Sequence, residues 1–84
     1  MYLNQKSMQA ELLKRITIVP GSMGGKPTIR GMRFPVKDIL EMLASGMSNN
    51  DILEQHPILE IEDIKAALLY AASNLKTTIV IDAA

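Results

Sequence analysis

One stretch of this sequence fits neither a helix nor a strand pattern, and the residues before and after it predict different kinds of structure. It runs Gly24-Gly25-Lys26-Pro27-Thr28-Ile29-Arg30-Gly31-Met32-Arg33-Phe34-Pro35. Glycines permit backbone angles that other residues avoid and prolines fix them, so three glycines and two prolines here indicate a shaped turn. The stretch also carries three cations. We call residues 24–35 the Gly/Pro segment and predict that its basic side chains either bind a partner or join the two halves of the chain.

The residues before the Gly/Pro segment favour extended structure. Ile16–Val19 is β-branched throughout and predicts a strand. Thr28–Arg30 predicts a second short extended piece, so the loop between them allows a hairpin that turns at the glycine pair. Residues 1–15 are predicted to be a flexible or short helical segment, in which Met1–Lys6 is mobile and Ser7–Lys14 forms two turns of helix.

The residues after the segment predict three helices. The first places Pro35 in its first turn and ends at Gly46 in a left-handed conformation. The second begins with a Ser48–Asp51 capping pair and ends before Pro57. The third covers about residues 61–74, and its predicted inner stripe is Ile61, Ile64, Leu68, Ala71 and Leu75. Its early acids, Glu62 and Asp63, suit the positive end of the helix dipole, whereas Glu60 is a poor N-cap residue.

The last residues predict one more strand. Thr77–Ile81 is again β-branched and needs a partner, for which Ile16–Val19 is the obvious candidate, within the chain or in a second copy. The predicted fold is therefore mainly α: a three-helix (helix-turn-helix) bundle with a short N-terminal β-hairpin and a C-terminal strand. The predicted organisation is 1–15 as an N-terminal segment, 16–76 as the helical domain and 77–84 as a strand or tail.

Length and composition limit the classes of protein to which this chain can belong. Eighty-four residues allow one domain, and 48% apolar residues in so small a chain favour a homodimer that buries additional surface. The sequence has no cysteine, which excludes disulfides and thiolate metal sites. It shows neither a signal peptide nor an apolar run near the ~20 residues of a membrane helix, so we expect a cytoplasmic protein without membrane contact.

The net charge of zero hides an asymmetry along the chain. The first 37 residues contain seven Lys or Arg and one acid, Glu11, whereas the remainder contains eight acids against Lys65 and Lys76. Because the two halves of the chain carry opposite net charge, we predict a basic contact face on one side of the protein. The alternative is that the halves neutralise each other within or between chains.

No catalytic set is visible in the sequence. Gly25-Lys26 lacks the rest of a phosphate-binding loop, because Pro20 and Pro27 occupy the positions that need a glycine and a hydroxyl residue. His56, the only histidine, precedes a proline at a helix end and is predicted to be a structural or exposed residue rather than a base. Glu60, Glu62 and Asp63 could hold a metal, but a solvated helix start explains these acids better. We therefore expect no enzyme activity, no cofactor and no metal; a small hydrolase or nuclease is the least favoured alternative.

The order short helix, turn, longer helix is typical of helix-turn-helix proteins, but the third helix begins with carboxylates that would repel phosphate. Contacts to nucleic acid or to a partner are instead predicted at Lys26, Arg30, Arg33 and Lys37. If the arginines serve the fold instead, Asp38 or Glu41 are the expected partners.

Several of these motifs together resemble the domain-of-unknown-function 433 family. They are Gly25-Lys26-Pro27-Thr28-Ile29-Arg30-Gly31, then Gly46-Met47-Ser48, Asp51-Ile52-Leu53, Glu62-Asp63-Ile64 and Leu69-Tyr70-Ala71-Ala72. The resemblance implies a bacterial, homeodomain-like antitoxin whose partner is a ribonuclease-like toxin of the PIN class. Met23-Gly24 stands where many relatives carry Cys-His, so no metal or redox role is carried over.

The resemblance and the residues together predict a non-catalytic antitoxin-like module that dimerises, holds a toxin and contacts operator DNA. The alternative is a structural protein–protein adaptor without DNA binding.

Overall fold

The computed structural model describes the backbone of residues 2–21 and 23–75, and the side chains of these residues from Ser7 onward. The elements in this part of the chain are α1 (Tyr2–Leu13), β1 (Ile16–Thr17), β2 (Thr28–Ile29), α2 (Val36–Ala44), α3 (Asn49–Gln55) and α4 (Ile61–Ser73), with a 3-10 turn at Met23–Gly25. This is the mainly helical fold with an N-terminal hairpin that the sequence predicts. The predicted C-terminal strand, residues 77–81, lies outside the described residues.

The hairpin forms, but its strands are shorter than predicted. β1 pairs antiparallel with β2, and the register is Ile16 opposite Ile29 and Thr17 opposite Thr28. The N–H of Lys26 donates to the carbonyl of Met23 at 3.3 Å, inside the turn. The Lys26 N–H is therefore already hydrogen-bonded inside the turn. It does not donate to Val19 across the hairpin, so the β1–β2 pairing is not extended there. Ile18 and Val19, predicted as part of the strand, lie beyond its paired residues.

Local capping signals place α2 and α3 as predicted. The Ser48 hydroxyl accepts from the N–H of Asp51, and the Asp51 carboxylate accepts from the N–H of Ser48, both at 3.0 Å. Pro35 lies one residue earlier than predicted, at the N-cap position before α2. Gly46 takes φ +102° after α2, a conformation that favours glycine. α3 ends where His56, the residue before a proline, leaves helical geometry at φ −130°.

The core is aliphatic and is centred on α4. Its buried members are Ile29, Val36, Ile39, Ile52, Leu59, Ile64 and Ala67. The predicted inner stripe of α4 is wrong at two positions, because Leu68 is 49% and Leu75 is 69% exposed. α4 packs against α1, β1, α2 and α3, so its buried face is wide. That face includes Ala66 and Ala67 and leaves the neighbouring Leu68 on the solvent side.

The N-terminal helix is longer than predicted. α1 begins at Tyr2, so residues 2–6 belong to a helix rather than to a mobile segment. A helix of 12 residues is marginal by itself in water. Packing of α1 against α4 supplies the tertiary contacts that the local sequence does not indicate.

Candidate functional site

The Gly/Pro segment meets the start of α4 at a buried carboxylate. Asp63 lies in the first turn of α4 and is fully buried. Its Oδ2 accepts a hydrogen bond from the backbone N–H of Glu60 at 2.8 Å. The first N–H groups of a helix have no intrahelical acceptor, so this bond stabilises the helix start. Asp63 is therefore a buried capping residue, not the solvated acid that the sequence predicts.

Two arginines converge on the carboxylate of Asp63. Arg30 donates from Nε to Oδ1 at 3.0 Å and from Nη2 to Oδ2 at 2.8 Å, which is bidentate pairing. The same Nη2 donates to the carbonyl of Ile58 at 2.8 Å. Arg15 donates from Nη1 to Asp63 Oδ1 at 2.9 Å and to Glu60 Oε1 at 2.8 Å. We call Arg15, Arg30, Glu60 and Asp63 the Asp63 cluster; it joins the residue before β1, the Gly/Pro segment and the start of α4.

The electrostatics of the Asp63 cluster keep the buried acid ionised. Burial alone would raise the pKa of Asp63, but hydrogen bonds from Arg30, the Glu60 N–H and Arg15 together hold that pKa below its usual value. Hydrogen bonds to Glu60 and Asp63 raise the pKa of Arg15, and the bond to Asp63 raises that of Arg30. A buried carboxylate is costly unless it is paired and hydrogen-bonded. The two guanidinium groups thus make the burial of Asp63 possible.

The backbone of the Gly/Pro segment turns sharply to bring Arg30 to this position. Arg30 has φ +47° and Gly31 has φ +72°, and the N–H of Met32 donates to the carbonyl of Ile29 at 2.8 Å. A residue with a side chain is strained in this left-handed region, at a cost of roughly 1–3 kcal/mol. The bidentate pairing with Asp63 offsets that strain. Glycine at position 31 adopts the second left-handed conformation without the backbone strain that a residue with a side chain would have there.

A separate surface concavity brings two of the predicted contact residues together. Its volume is about 410 Å³, and it is lined by Lys26, Pro27, Pro35, Val36, Lys37, Leu40, Tyr70, Ala71 and Asn74. We call it the Lys26–Lys37 groove. No described residue that lines it carries a carboxylate. The Nζ of Lys37 lies 3.7 Å from the carboxylate of Glu41, but both side chains are about two-thirds exposed, so this pair is weak.

Arg33 lies at a different concavity, on the other side of α2. That concavity, of about 430 Å³, is lined by Arg33, Phe34, Asp38, Glu41, Met42 and His56. Asp38 and Glu41 thus bring carboxylates to the same concavity as Arg33. The rings of Phe34 and His56 meet edge to face, with centroids 5.1 Å apart and planes at 86°. His56 is thus a half-buried packing residue, in agreement with its predicted structural role.

The structure therefore separates the four predicted contact residues into three places. Lys26 and Lys37 share a groove, Arg33 is apart from them, and the guanidinium of Arg30 is engaged in the Asp63 cluster. A partner contact by Arg30 stays a prediction, and it would require the guanidinium to leave Asp63. Where the sequence suggested Asp38 or Glu41 as its acidic partner, the structure has Asp63.

Arg15, Glu60 and Asp63 are the three members of the Asp63 cluster that sequence reasoning missed. One available signal was spacing, because Asp63 follows Glu60 by three residues, as the second member of a capping box does. Within the described residues, no three histidines or acids lie close enough to hold a metal ion. None of the helices in that part of the chain is long and apolar enough to cross a bilayer.

Two known proteins are similar to this chain. The uncharacterized protein y4eO of Sinorhizobium fredii is 41% identical over 59 residues, which is 70% of this chain. The chain spans only about a quarter of that relative's length (27%). The crystal structure of a DUF433 member protein from Anabaena variabilis matches with a TM-score of 0.68 at 32% identity, over 86% of this chain and 72% of that one.

The family comparison covers all of the Asp63 cluster except Arg15 and all of the Lys26–Lys37 groove except Asn74. The sequence pattern of DUF433, described as a protein of unknown function, matches residues 16–71, from β1 to near the end of α4. More than half of the chain is included, and the similar crystal structure carries the same family name. The chain therefore belongs to the DUF433 family.

Proposed function

We propose that this chain is a non-catalytic, antitoxin-like module that binds a partner protein through the Lys26–Lys37 groove. The observation that carries the proposal is the composition of that groove: an apolar floor, two lysines and no acid among its described lining residues. Apolar concavities with a few polar groups at fixed positions are the usual form of binding sites. The matching partner surface presents an aliphatic side chain flanked by carboxylates.

The nature of the partner follows from the family resemblance. We propose a ribonuclease-like toxin of the PIN class, bound by a homodimer of this chain. The Lys26–Lys37 groove would contact the toxin, and the Asp63 cluster would hold the Gly/Pro segment in the conformation that shapes one wall of the groove. Lys26 and Pro27 belong to that wall, and both lie a few residues before Arg30 in the same segment.

The distribution of charge favours protein binding over DNA binding by α4. In a helix-turn-helix protein the second helix enters the major groove by its N-terminal residues. Here that end carries Glu60 and Glu62, both exposed, and the nearby Arg15 and Arg30 are already paired. Operator binding, as the second candidate function, would therefore depend on Lys26, Arg33 and Lys37, which are exposed.

The proposal is tested by measuring binding to the protein encoded by the neighbouring gene. Two double variants, each reversing the charge of two lysines, are compared with the wild type. The purified pair is titrated by calorimetry with wild type, with Lys26→Glu/Lys37→Glu, and with the control Lys14→Glu/Lys65→Glu, which reverses two exposed lysines elsewhere. We expect at least tenfold weaker binding for the groove variant, or about 1.4 kcal/mol, and no change for the control. Circular dichroism must show that both variants are folded.

Two results would contradict the groove as the partner site, and a gel shift would distinguish the two candidate functions. If the neighbouring product does not bind the wild type, or if both double variants bind as the wild type does, the groove is not the partner site. A gel shift on the protein's own promoter, with and without the partner, separates the antitoxin from the adaptor. An antitoxin that represses its operon retards that DNA in a salt-dependent manner, whereas an adaptor does not.

A further inference from the structure

The outward face of α4 is apolar over most of its length. After Lys65, residues 66–73 of this helix contain no charged side chain. Leu68 is 49% exposed, and Ala72, one turn further along the same side, is exposed as well. A helix at the surface of a globular protein normally carries charged or polar residues on its outward face. The outward face of α4 is therefore a candidate contact surface.

The spacing of residues on this face is that of a coiled-coil seam. Four residues follow one another at intervals of four, three and four positions: Ile61, Lys65, Leu68 and Ala72. Such alternation places side chains on one stripe that packs against a second helix. Ile61 is half-buried and the other three are exposed, so no element in the described part of the chain covers those three. We call these four residues the α4 seam.

The charge distribution around the α4 seam favours a second copy of the same helix, in antiparallel orientation. Side chains in a helix lean toward its N-terminus, so Lys65 leans toward Ile61. In an antiparallel pair, each lysine therefore points toward the C-terminal end of the other helix. That end is the negative pole of the helix dipole, and the last turn of α4 contains no basic residue of its own. In a parallel pair the two lysines would lie side by side and repel each other.

The overlap of the two helices determines their register. In an antiparallel coiled coil with a two-fold axis through the middle of α4, Lys65 of one copy lies against Leu68 of the other. The same axis places Ile61 against Ala72, a large side chain against a small one. All four seam residues of both copies are then covered. A shift by one heptad, about 10 Å along the helix, would leave half of the seam uncovered.

We propose that two copies of this chain pair antiparallel through the α4 seam, about a two-fold axis. The inference rests on the proposed function only in that it assigns the interface of the proposed homodimer. A two-fold interface brings the same patch of both copies together, so the patch must be complementary to itself. The α4 seam meets this condition, because its apolar residues face each other and its lysine faces a negative helix end. The Lys26–Lys37 groove does not, because two lysines of one copy would meet two of the other.

The α4 seam leaves the Lys26–Lys37 groove open. Tyr70 and Asn74, which line the groove, lie on the opposite side of α4 from Lys65. Each groove also belongs to a single chain, so a chain that does not dimerise still presents it to the toxin. The control Lys14→Glu/Lys65→Glu alters one seam residue but no groove residue, and its expected toxin affinity per chain is unchanged. Failure of the dimer changes the solution mass, whereas failure of the partner site changes the calorimetric titration.

Solution mass tests whether the α4 seam is the interface. Wild type, Leu68→Glu and Ile18→Glu are studied by analytical ultracentrifugation over a series of protein concentrations. We expect a dimer for the wild type and at least a tenfold higher dimer dissociation constant for Leu68→Glu, because carboxylates would enter an apolar interface. Ile18, directly after β1, is 52% exposed and provides the matched control, which should dimerise as the wild type does.

Circular dichroism must show that both glutamate variants are folded. A monomeric wild type would overturn the proposal. Equal dissociation constants for the two variants would overturn it as well, and a larger effect of Ile18→Glu would place the interface at the hairpin instead.

Disulfide trapping tests the orientation, in a chain that has no cysteine of its own. Ile61→Cys and Ala72→Cys are oxidised separately and as an equal mixture. The proposed register places these two positions opposite each other. Two copies of the same variant keep them at least about 16 Å apart, beyond the ~7 Å reach of a disulfide. We expect a disulfide between the two different variants, identified by mass spectrometry, and little cross-linking of either variant alone. Cross-linking within each variant alone would indicate parallel helices and overturn the proposal, as would a mixture that does not cross-link.

Discussion

The Asp63 cluster and the Lys26–Lys37 groove use cations of the same short region in opposite ways. Arg30 and Lys26 are four residues apart, and both belong to the glycine- and proline-rich turn. Arg30 lies against the start of α4 with its side chain 33% exposed, and its guanidinium pairs with a carboxylate that is fully buried. Lys26 stays on the rim of an apolar groove. Nearness in sequence and equal charge therefore do not give these residues one role.

The chemistry of the two side chains accounts for this division. A guanidinium group is planar and can donate two parallel hydrogen bonds to one carboxylate, as Arg30 does with Asp63. An ammonium group on a flexible stem cannot do so and keeps its charge in water. The arginines thus suit a fixed internal pairing, and the lysines suit a surface that meets a partner.

Removal of the shared carboxylate should have the largest effect. Asp63→Ala leaves Arg15 and Arg30 without their buried acceptor and leaves the N–H of Glu60 uncapped. We expect a loss of about 3 kcal/mol in the free energy of unfolding, measured by urea denaturation with circular dichroism. The control is Glu62→Ala, which removes an exposed acid from the same helical turn and should cost less than about 0.5 kcal/mol. Equal unfolding midpoints for the two variants would contradict the structural importance of the cluster.

The next largest effect on the free energy of unfolding should come from Arg30, and it should distinguish Arg30 from Arg33 in the same turn. Arg30→Ala leaves Asp63 paired with Arg15 alone and should cost about 2 kcal/mol, whereas Arg33→Ala should cost less than about 0.5 kcal/mol. The measurement is again urea denaturation. Similar losses for the two alanine variants would show that the cluster and the exposed cations do not differ in structural role.

A third substitution at position 30 separates the ion pair from the backbone strain. Arg30→Gly also removes the guanidinium but relieves the left-handed backbone, so it should be about 1 kcal/mol more stable than Arg30→Ala. If the alanine variant is as stable as the glycine variant, the positive φ of Arg30 carries no measurable strain.

Local signals in the sequence predicted much of the fold. The spacing of Val36 and Ile39, the Ser48–Asp51 capping box and Pro57 placed α2 and α3, because helix periods and caps depend on residues a few positions apart. The buried face of α4 was less predictable. Leu68 fits an apolar stripe, but the packing of α1, which the weak pattern of its own sequence does not indicate, helps to determine which face of α4 is covered.

The candidate site was harder to predict than the fold. Lys26 and Lys37 were named from charge alone, and the structure brings them to one groove. The pairing of Arg30 with Asp63 was not predicted, because the two residues are 33 positions apart and no periodic pattern links them. The acid itself looked like one of several solvated residues at a helix start. A contact between distant segments becomes visible only once the hairpin lies along α4.

The smallest effect expected is a change in how stability depends on pH. Hydrogen bonds in the Asp63 cluster lower the pKa of Asp63 in the folded state below its value in the unfolded chain. A lowered pKa means that the unfolded state binds protons first as the pH falls. The stability from this group is therefore complete above the unfolded pKa and is lost as the pH falls through the folded pKa.

The pH prediction is tested with Asp63→Asn, which cannot titrate at this position. Unfolding free energies of wild type and variant are measured by urea denaturation from neutral pH into the acidic range. The variant is less stable at neutral pH, but its stability should fall less steeply with acid, so the two curves converge at low pH. Asp51, whose pKa the Ser48 hydrogen bonds also lower, titrates in both proteins and cancels from the difference. Curves that stay parallel would mean that the buried carboxylate gains nothing from its arginines on folding, and the contrast between cluster and groove would then lose its electrostatic basis.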